Sequence, residues 1–128
     1  MILLDTCCLL WLVMEPDRLT ETAKQTLRQH VGMLFVSAIT AFELGQKHAA
    51  AKLDLPFPPA EWFGRACTAH GLTILPLTAE QAFAAAGLPL LHRDPFDRLL
   101  TATAQLQRLT LLTPDPLIRQ YPQVTTTW

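Results

Sequence analysis

With 128 residues, half of them apolar and 16% charged, the chain is sized and composed for one folded domain and against disorder. A net charge of -1 excludes a broad basic field, so any polyanionic partner must be met by a local basic patch or by bound cations. Three cysteines without CxxC or His/Cys ligand spacing, and no run long enough to span a bilayer, point to reduced thiols in a cytoplasmic protein with no membrane association and no signal peptide.

The chain opens on Met1-Ile2-Leu3-Leu4, a continuous apolar run that fits a strand buried on both faces, closed by Asp5-Thr6. Helical spacing runs from Cys7 through Met14, with Cys7 and Cys8 read as small core residues, and stops at Pro16-Asp17. A second helix is predicted from Thr20, its cap, to His30, with Leu27 facing inward. Met33-Leu34-Phe35-Val36 reads as the second strand. Ser37 then caps a long helix reaching Lys52 that carries Ile39, Phe42, Glu43 and Lys47. A proline-punctuated loop over 53–59 leads to a helix over 60–70, a third strand over Leu72 to Leu75, and a helix capped by Thr78 that runs through Ala86. After a loop over 87–94, Pro95 to Leu106 forms an amphipathic helix, 109–112 a fourth strand, and 115–121 a last short helix. Strands alternating with helices define βαβ units, hence an α/β fold: a parallel sheet in a three-layer α/β/α sandwich. No repeat or internal boundary interrupts it, so residues 1–128 are read as one domain.

The placement of the acids carries the functional information. Asp5 directly follows the first strand and Asp115 comes just after the fourth; Glu43 lies within two turns of the helix after the second strand; Asp97 sits in the first turn of the helix before the fourth. In open parallel sheets, ligand sites form outside the carboxyl ends of the strands. Each acid also has a purely structural reading. Asp5 and Asp115 can cap helices. Asp97, three residues after Asp94 with Pro95 between, forms an acidic capping box and suits the helix dipole. Glu43, among Ile39, Ala41, Phe42 and Leu44, is costly to bury unpaired, and its structural reading is an exposed helix face. If the acids converge, two carboxylates about 5 Å apart repel by roughly 3 kcal/mol at an effective dielectric near 20. A hard, oxygen-seeking divalent cation such as Mg²⁺ or Mn²⁺ answers that repulsion, and such an ion activates water and clamps phosphate oxygens.

Four segments together, Leu3-Leu4-Asp5-Thr6, Val36-Ser37-Ala38-Ile39-Thr40-Ala41-Phe42-Glu43, His92-Arg93-Asp94-Pro95-Phe96-Asp97-Arg98-Leu99-Leu100 and Leu112-Thr113-Pro114-Asp115, resemble the PIN domain, and within it the VapC-type toxins of bacterial toxin–antitoxin pairs. The resemblance spans nearly the whole chain in the family's order; no one segment is specific alone. It implies a five-stranded parallel sheet and a Mg²⁺- or Mn²⁺-dependent endoribonuclease. Asp5, Glu43, Asp97 and Asp115 then correspond to the acidic quartet, with Asp5 and Asp97 the most direct ligands. Thr6 and Thr113 would support them through hydroxyls, Ser37 would cap the helix presenting Glu43, and Asp94 would be helix cap or supporting acid. Prolines on both sides of Asp115 depart from the family's pattern. The resemblance also implies an RNA substrate, a small antitoxin that occludes the acidic groove, a homodimer, and DNA contact only through the antitoxin.

Other residues are read more plainly. His92, Arg93 and Arg98 beside the acids are candidate RNA contacts. Lys47, His48 and Lys52 read as a solvated face before a steering patch, His30 and His70 as helix C-terminal residues, and Trp11, Trp62 and Trp128 as packing anchors. An aspartyl-nucleophile phosphatase needs a second acid where Cys7 stands, and a dinucleotide site needs a GxGxxG after the first strand. The alternative within the fold is a catalytically silent PIN-like domain that binds RNA or protein; the presence of all four acids speaks against it.

Overall fold

The computed structural model describes every residue from Met1 to Trp128. In chain order it runs β1 (Ile2–Leu4), α1 (Thr6–Met14), a 3₁₀ turn (Pro16–Arg18), α2 (Glu21–Gln29), β2 (Leu34–Ser37), α3 (Ala38–Ala49), α4 (Pro59–His70), β3 (Leu72–Leu75), α5 (Ala79–Gly87), α6 (Pro95–Gln107), β4 (Thr110–Leu112), a 3₁₀ turn (Ile118–Gln120) and β5 (Thr126–Thr127). The strands form one sheet in the order β3-β2-β1-β4-β5, with every pair parallel.

That order explains the layers. The chain steps outward from β1 to β2 to β3, then returns past β1 to lay down β4 and β5. Right-handed crossovers put helices on opposite faces of the sheet when the direction of travel reverses. One face buries Ile2, Leu4, Leu34 and Val36 under Leu9, Leu27, Leu44, Trp62 and Phe63. The other buries Leu3 and Leu111 under Ile39, Leu100, Ala104 and Ile118. Successive strand residues thus feed two cores, which is why the strands read as continuous apolar runs. No helix is long and apolar enough to cross a membrane.

The cap chemistry places the helices. Thr20, Ser37 and Thr78 each accept a backbone N–H of the first turn, and Thr78 with Gln81 completes a capping box. Helix α3 stops at Ala49, short of Lys52, because Ala51 turns left-handed (φ 56°) and the Ala51 and Lys52 N–H groups close onto the carbonyls of His48 and Lys47.

Two elements differ from the sequence reading. Residues 115–121 form a turn and a single 3₁₀ turn, since the Asp115 carboxylate accepts the Leu117 N–H and starts a tight turn there. The fifth strand is two polar, half-buried residues at the sheet edge, Thr126 and Thr127, with no apolar run to announce it.

Candidate metal centre

The switch of direction between β1 and β4 opens a crevice at the carboxyl ends of the strands, the place where open parallel sheets bind ligands. A groove of about 590 Å³ lies there, and Asp5, Glu43, Asp94, Asp97 and Asp115 all line it, together with Lys47. Four well-separated segments therefore deliver their carboxylates to one hollow.

Asp5 leaves β1 as the N-cap residue of α1, but its side chain makes no capping bond. Its backbone N–H is held by the Leu112 carbonyl of β4, and its Oδ2 accepts the Thr113 hydroxyl at 2.6 Å. The same hydroxyl oxygen accepts the Asp115 N–H at 3.1 Å, so Thr113 ties the two strand ends together. Glu43 is buried, because Ser37 starts α3 at the end of β2 and Glu43 falls on the inward face one and a half turns later. Its Oε2 accepts the Lys47 ammonium at 2.5 Å, while Oε1 is buried with no hydrogen-bond partner. Asp97 does not close a capping box with Asp94. Asp94 caps α6 alone, accepting the Phe96 N–H at 2.9 Å, and the Asp97 carboxylate turns to His92 Nε2 at 2.9 Å. Asp115 Oδ2 accepts the same His92 nitrogen at 2.8 Å.

The crowding registers in the proton affinities. Burial is the largest influence raising the Asp5 carboxyl; the Thr113 hydroxyl and Thr6 backbone pull it back, and the charges of Glu43 and Asp115 push it up further. Asp97 is pushed up to about 7, first by burial, then by the charges of Asp5, Asp94 and Glu43, against the opposing pull of His92. Lys47 is raised as well, which for a cation favours the charged form. Burial works to lower its ammonium, but the hydrogen bond and charge of Glu43, with the charges of Asp94 and Asp97, outweigh it and hold the group above its ordinary value.

The remaining predicted residues fall out as follows. Ser37 accepts the Ile39 N–H at 3.1 Å as the cap of α3. Thr6 spends its hydroxyl on Thr40 at 3.1 Å, pinning the start of α1 to α3. His92 is buried with both ring nitrogens engaged by the protein, so it does not present itself to a phosphate. Arg98 corrects the sequence reading most clearly. It is buried, and both terminal nitrogens of its guanidinium donate to backbone carbonyls, those of Pro89, His92, Ala85, Ala86 and Leu88, at 2.8–3.4 Å, so they face the protein rather than a substrate. Arg93 is exposed, precedes the groove residue Asp94 in the chain without itself lining the groove, and forms no ion pair. Sequence reasoning passed over Lys47 as a groove residue, although its place four residues after Glu43 on one helix was the available signal.

Comparison with known proteins agrees with this geometry. The PIN domain profile matches residues 2–123. The chain belongs to the PIN domain family. Among its relatives, this PIN domain is 32% identical over 130 residues to Ribonuclease VapC22 of Mycobacterium tuberculosis, covering 99% of this chain and 98% of that protein. Its fold is similar to that of VapBC2 from Rickettsia felis, solved bound to a promoter DNA fragment, with a TM-score of 0.74 at 17% identity over 99% of this chain and 98% of that one. It is also similar to a toxin–antitoxin complex from Klebsiella pneumoniae, with a TM-score of 0.67 at 24% identity over 100% of this chain and 98% of that one.

Proposed function

We propose that this PIN domain is a Mg²⁺- or Mn²⁺-dependent endoribonuclease of the VapC type, restrained by a small antitoxin. The observation that carries the reading is the buried, unpartnered Glu43 Oε1 in a groove that also gathers Asp5, Asp97 and Asp115. A buried carboxylate oxygen without a donor is costly, and a set of hard oxygen donors around it fits a divalent cation with water completing the shell. Asp5, Glu43, Asp97 and Asp115 would hold that ion. When bound, it supplies a water of lowered pKa and neutralises charge on a phosphodiester.

The chain's own residues supply the rest. Thr113 holds the Asp5 carboxylate and the Asp115 backbone in fixed relation, so the two are pre-positioned rather than ordered on binding. Lys47 offsets the charge of Glu43 while keeping nearly half of its side chain exposed, and with Arg93 provides the local positive charge that the net charge lacks. Leu10, Pro114, Pro116 and Leu117 contribute the less polar part of the groove lining. An antitoxin fits the same groove by offering an Arg or Lys to the carboxylates. DNA contact through that antitoxin alone, and a homodimer, complete the proposal.

The test is RNA cleavage by the purified protein in Mg²⁺ or Mn²⁺, in EDTA, and by Asp5→Asn. Metal-dependent cleavage that Asp5→Asn lacks supports the reading; cleavage surviving both EDTA and the substitution contradicts it. Expression with and without the neighbouring open reading frame, scored for growth arrest and cleaved RNA, tests the toxin and antitoxin roles.

A further inference from the structure

One nitrogen in this molecule does an unusual job. His92 Nε2 lies 2.8 Å from Asp115 Oδ2 and 2.9 Å from Asp97 Oδ2, two acids that arrive on different elements. The other ring nitrogen, Nδ1, accepts the Asp94 backbone N–H at 3.1 Å, which fixes the ring's orientation and leaves the proton on Nε2 in the neutral ring. The Nε2–H donates to the Asp115 carboxylate, and Asp97 Oδ2 lies against the same nitrogen, so the ring stands between two acids that would otherwise repel.

The residue is itself held. Its backbone N–H donates to the Tyr121 hydroxyl at 3.1 Å, and that hydroxyl donates onward to the Pro89 carbonyl at 2.7 Å. Its carbonyl accepts Arg98 Nη1 at 3.1 Å, and Arg98 Nη2 reaches the carbonyls of Ala85 and Leu88 at 2.8 Å each. The irregular segment between α5 and α6 is thereby tied down at the carbonyls of Leu88, Pro89 and His92 and at one N–H, and Arg98 also reaches Ala85 and Ala86 in the last turns of α5. Without such ties, an irregular segment would hold a ring in one place poorly.

We propose that His92 is a positioning residue that clamps Asp115, carried on the 114–117 turn, against Asp97 on α6, with Arg98 and Tyr121 as the frame of the clamp. This rests on the reading of the groove as a metal centre. A carboxylate has four lone-pair positions, so accepting one N–H leaves the others free for a cation. Partners that orient metal-ligating groups commonly influence metal affinity by about 10–100-fold. His92 stands in that relation to Asp115 by a hydrogen bond and to Asp97 by close contact.

The experiment is Mn²⁺ titration by calorimetry of the metal-free wild type, His92→Ala, His92→Gln, Tyr121→Phe and Asp5→Asn, with imidazole ¹H–¹⁵N spectra of the metal-free wild type. His92→Ala is expected to bind Mn²⁺ about tenfold more weakly or worse. His92→Gln, whose amide nitrogen carries an N–H to nearly the same reach, is expected to recover most of that loss. A purely structural histidine would not give this rescue. Tyr121→Phe is expected to weaken binding in the same direction but less. The spectra are expected to show the Nε2–H tautomer with that proton protected from exchange. Wild-type affinity in a folded His92→Ala overturns the clamp, as does a Gln variant no better than Ala. If His92→Ala does not fold, the spectra decide, and an Nδ1–H tautomer or a freely exchanging ring overturns it. Asp5→Asn separates the two claims. Loss of Mn²⁺ binding in Asp5→Asn alone sinks the clamp and spares the metal centre, whereas wild-type binding in Asp5→Asn sinks the metal centre itself.

Discussion

Two buried centres of charge lie on either side of His92, and they are built in opposite ways. On one side the Arg98 guanidinium sits among backbone carbonyls that engage both of its terminal nitrogens. On the other, Asp5, Glu43, Asp97 and Asp115 share a groove with one ammonium group, an unpartnered oxygen, and carboxyls raised by burial and mutual repulsion. A satisfied charge serves the fold. Crowded, under-satisfied charges oppose it and are expected where a sequence gives up stability for function. The contrast predicts that substitutions on the two sides move stability and activity in opposite proportions.

The largest effect is on activity. Asp5→Asn or Asp97→Asn should lower metal-dependent RNA cleavage by roughly a hundredfold or more, at or beyond the upper end of what outer partners of metal ligands influence. Thermal unfolding in EDTA at pH 8 should meanwhile show these variants as stable as the wild type or more so, because one repelling charge is gone. A marked fall in stability with activity retained would reverse the assignment of the two centres.

Next comes Arg98→Ala, which removes a donor from five carbonyls, leaving Pro89 and Ala85 with their other partners, and should destabilise the protein by about 3 kcal/mol or more. That corresponds to a fall in Tm of roughly 10 °C for a domain of this size. Arg98→Lys should recover only part of it, since a single ammonium does not span the same fork of acceptors. Equal stability of wild type and Arg98→Ala would show that the guanidinium is not structural.

The pH dependence is smaller and specific to the groove. Asp97 is raised in the fold from 3.8 to about 7, so the folded state binds its proton more tightly than the unfolded chain does. Its contribution to stability is therefore complete below pH 4 and lost as pH rises through 7. Asp5 is raised in the same direction. Chemical denaturation of the metal-free protein should show stability falling across that window, and saturating Mn²⁺ should offset the fall by binding the ionised form. An equal slope with and without Mn²⁺ would separate Asp97 from the metal centre.

The last effect belongs to Lys47→Met. Lys47 is half exposed, but its loss leaves the buried Glu43 carboxylate without a donor, so metal-free stability should fall by about 1–3 kcal/mol. Removing the competing cation should tighten Mg²⁺ binding in a titration, while weaker binding would make Lys47 part of the support for the ion.

How much of this was legible in the residues depends on the kind of signal. β1 and the end of β2 announced themselves because strands covered on both faces carry unbroken apolar runs, as Ile2-Leu3-Leu4 does. Asp5 and Asp115 could be placed at the carboxyl ends of strands because Asp5 directly follows such a run and Asp115 comes three residues after one. Ser37, Thr20 and Thr78 were readable as caps because capping is local in sequence. Thr126-Thr127 was not readable as a strand from its own pattern, since two polar residues pair at an edge only because β4 is already there. Arg98 looked like a surface arginine beside an acid cluster, and only the return of residues 85–92 over α6 turns it inward. His92 was visible as a neighbour of the acids, but its two ring contacts lie five and 23 residues away and depend on the turn after β4. Long-range polar geometry is what the sequence conceals.

The most direct measurement is the anomalous diffraction of a crystal of this protein grown with Mn²⁺. A manganese peak within coordination distance of Asp5, Asp97 and Glu43 Oε1 is the predicted result. A protein saturated with Mn²⁺ whose only peaks lie outside the groove, or whose groove holds water alone, would contradict the account.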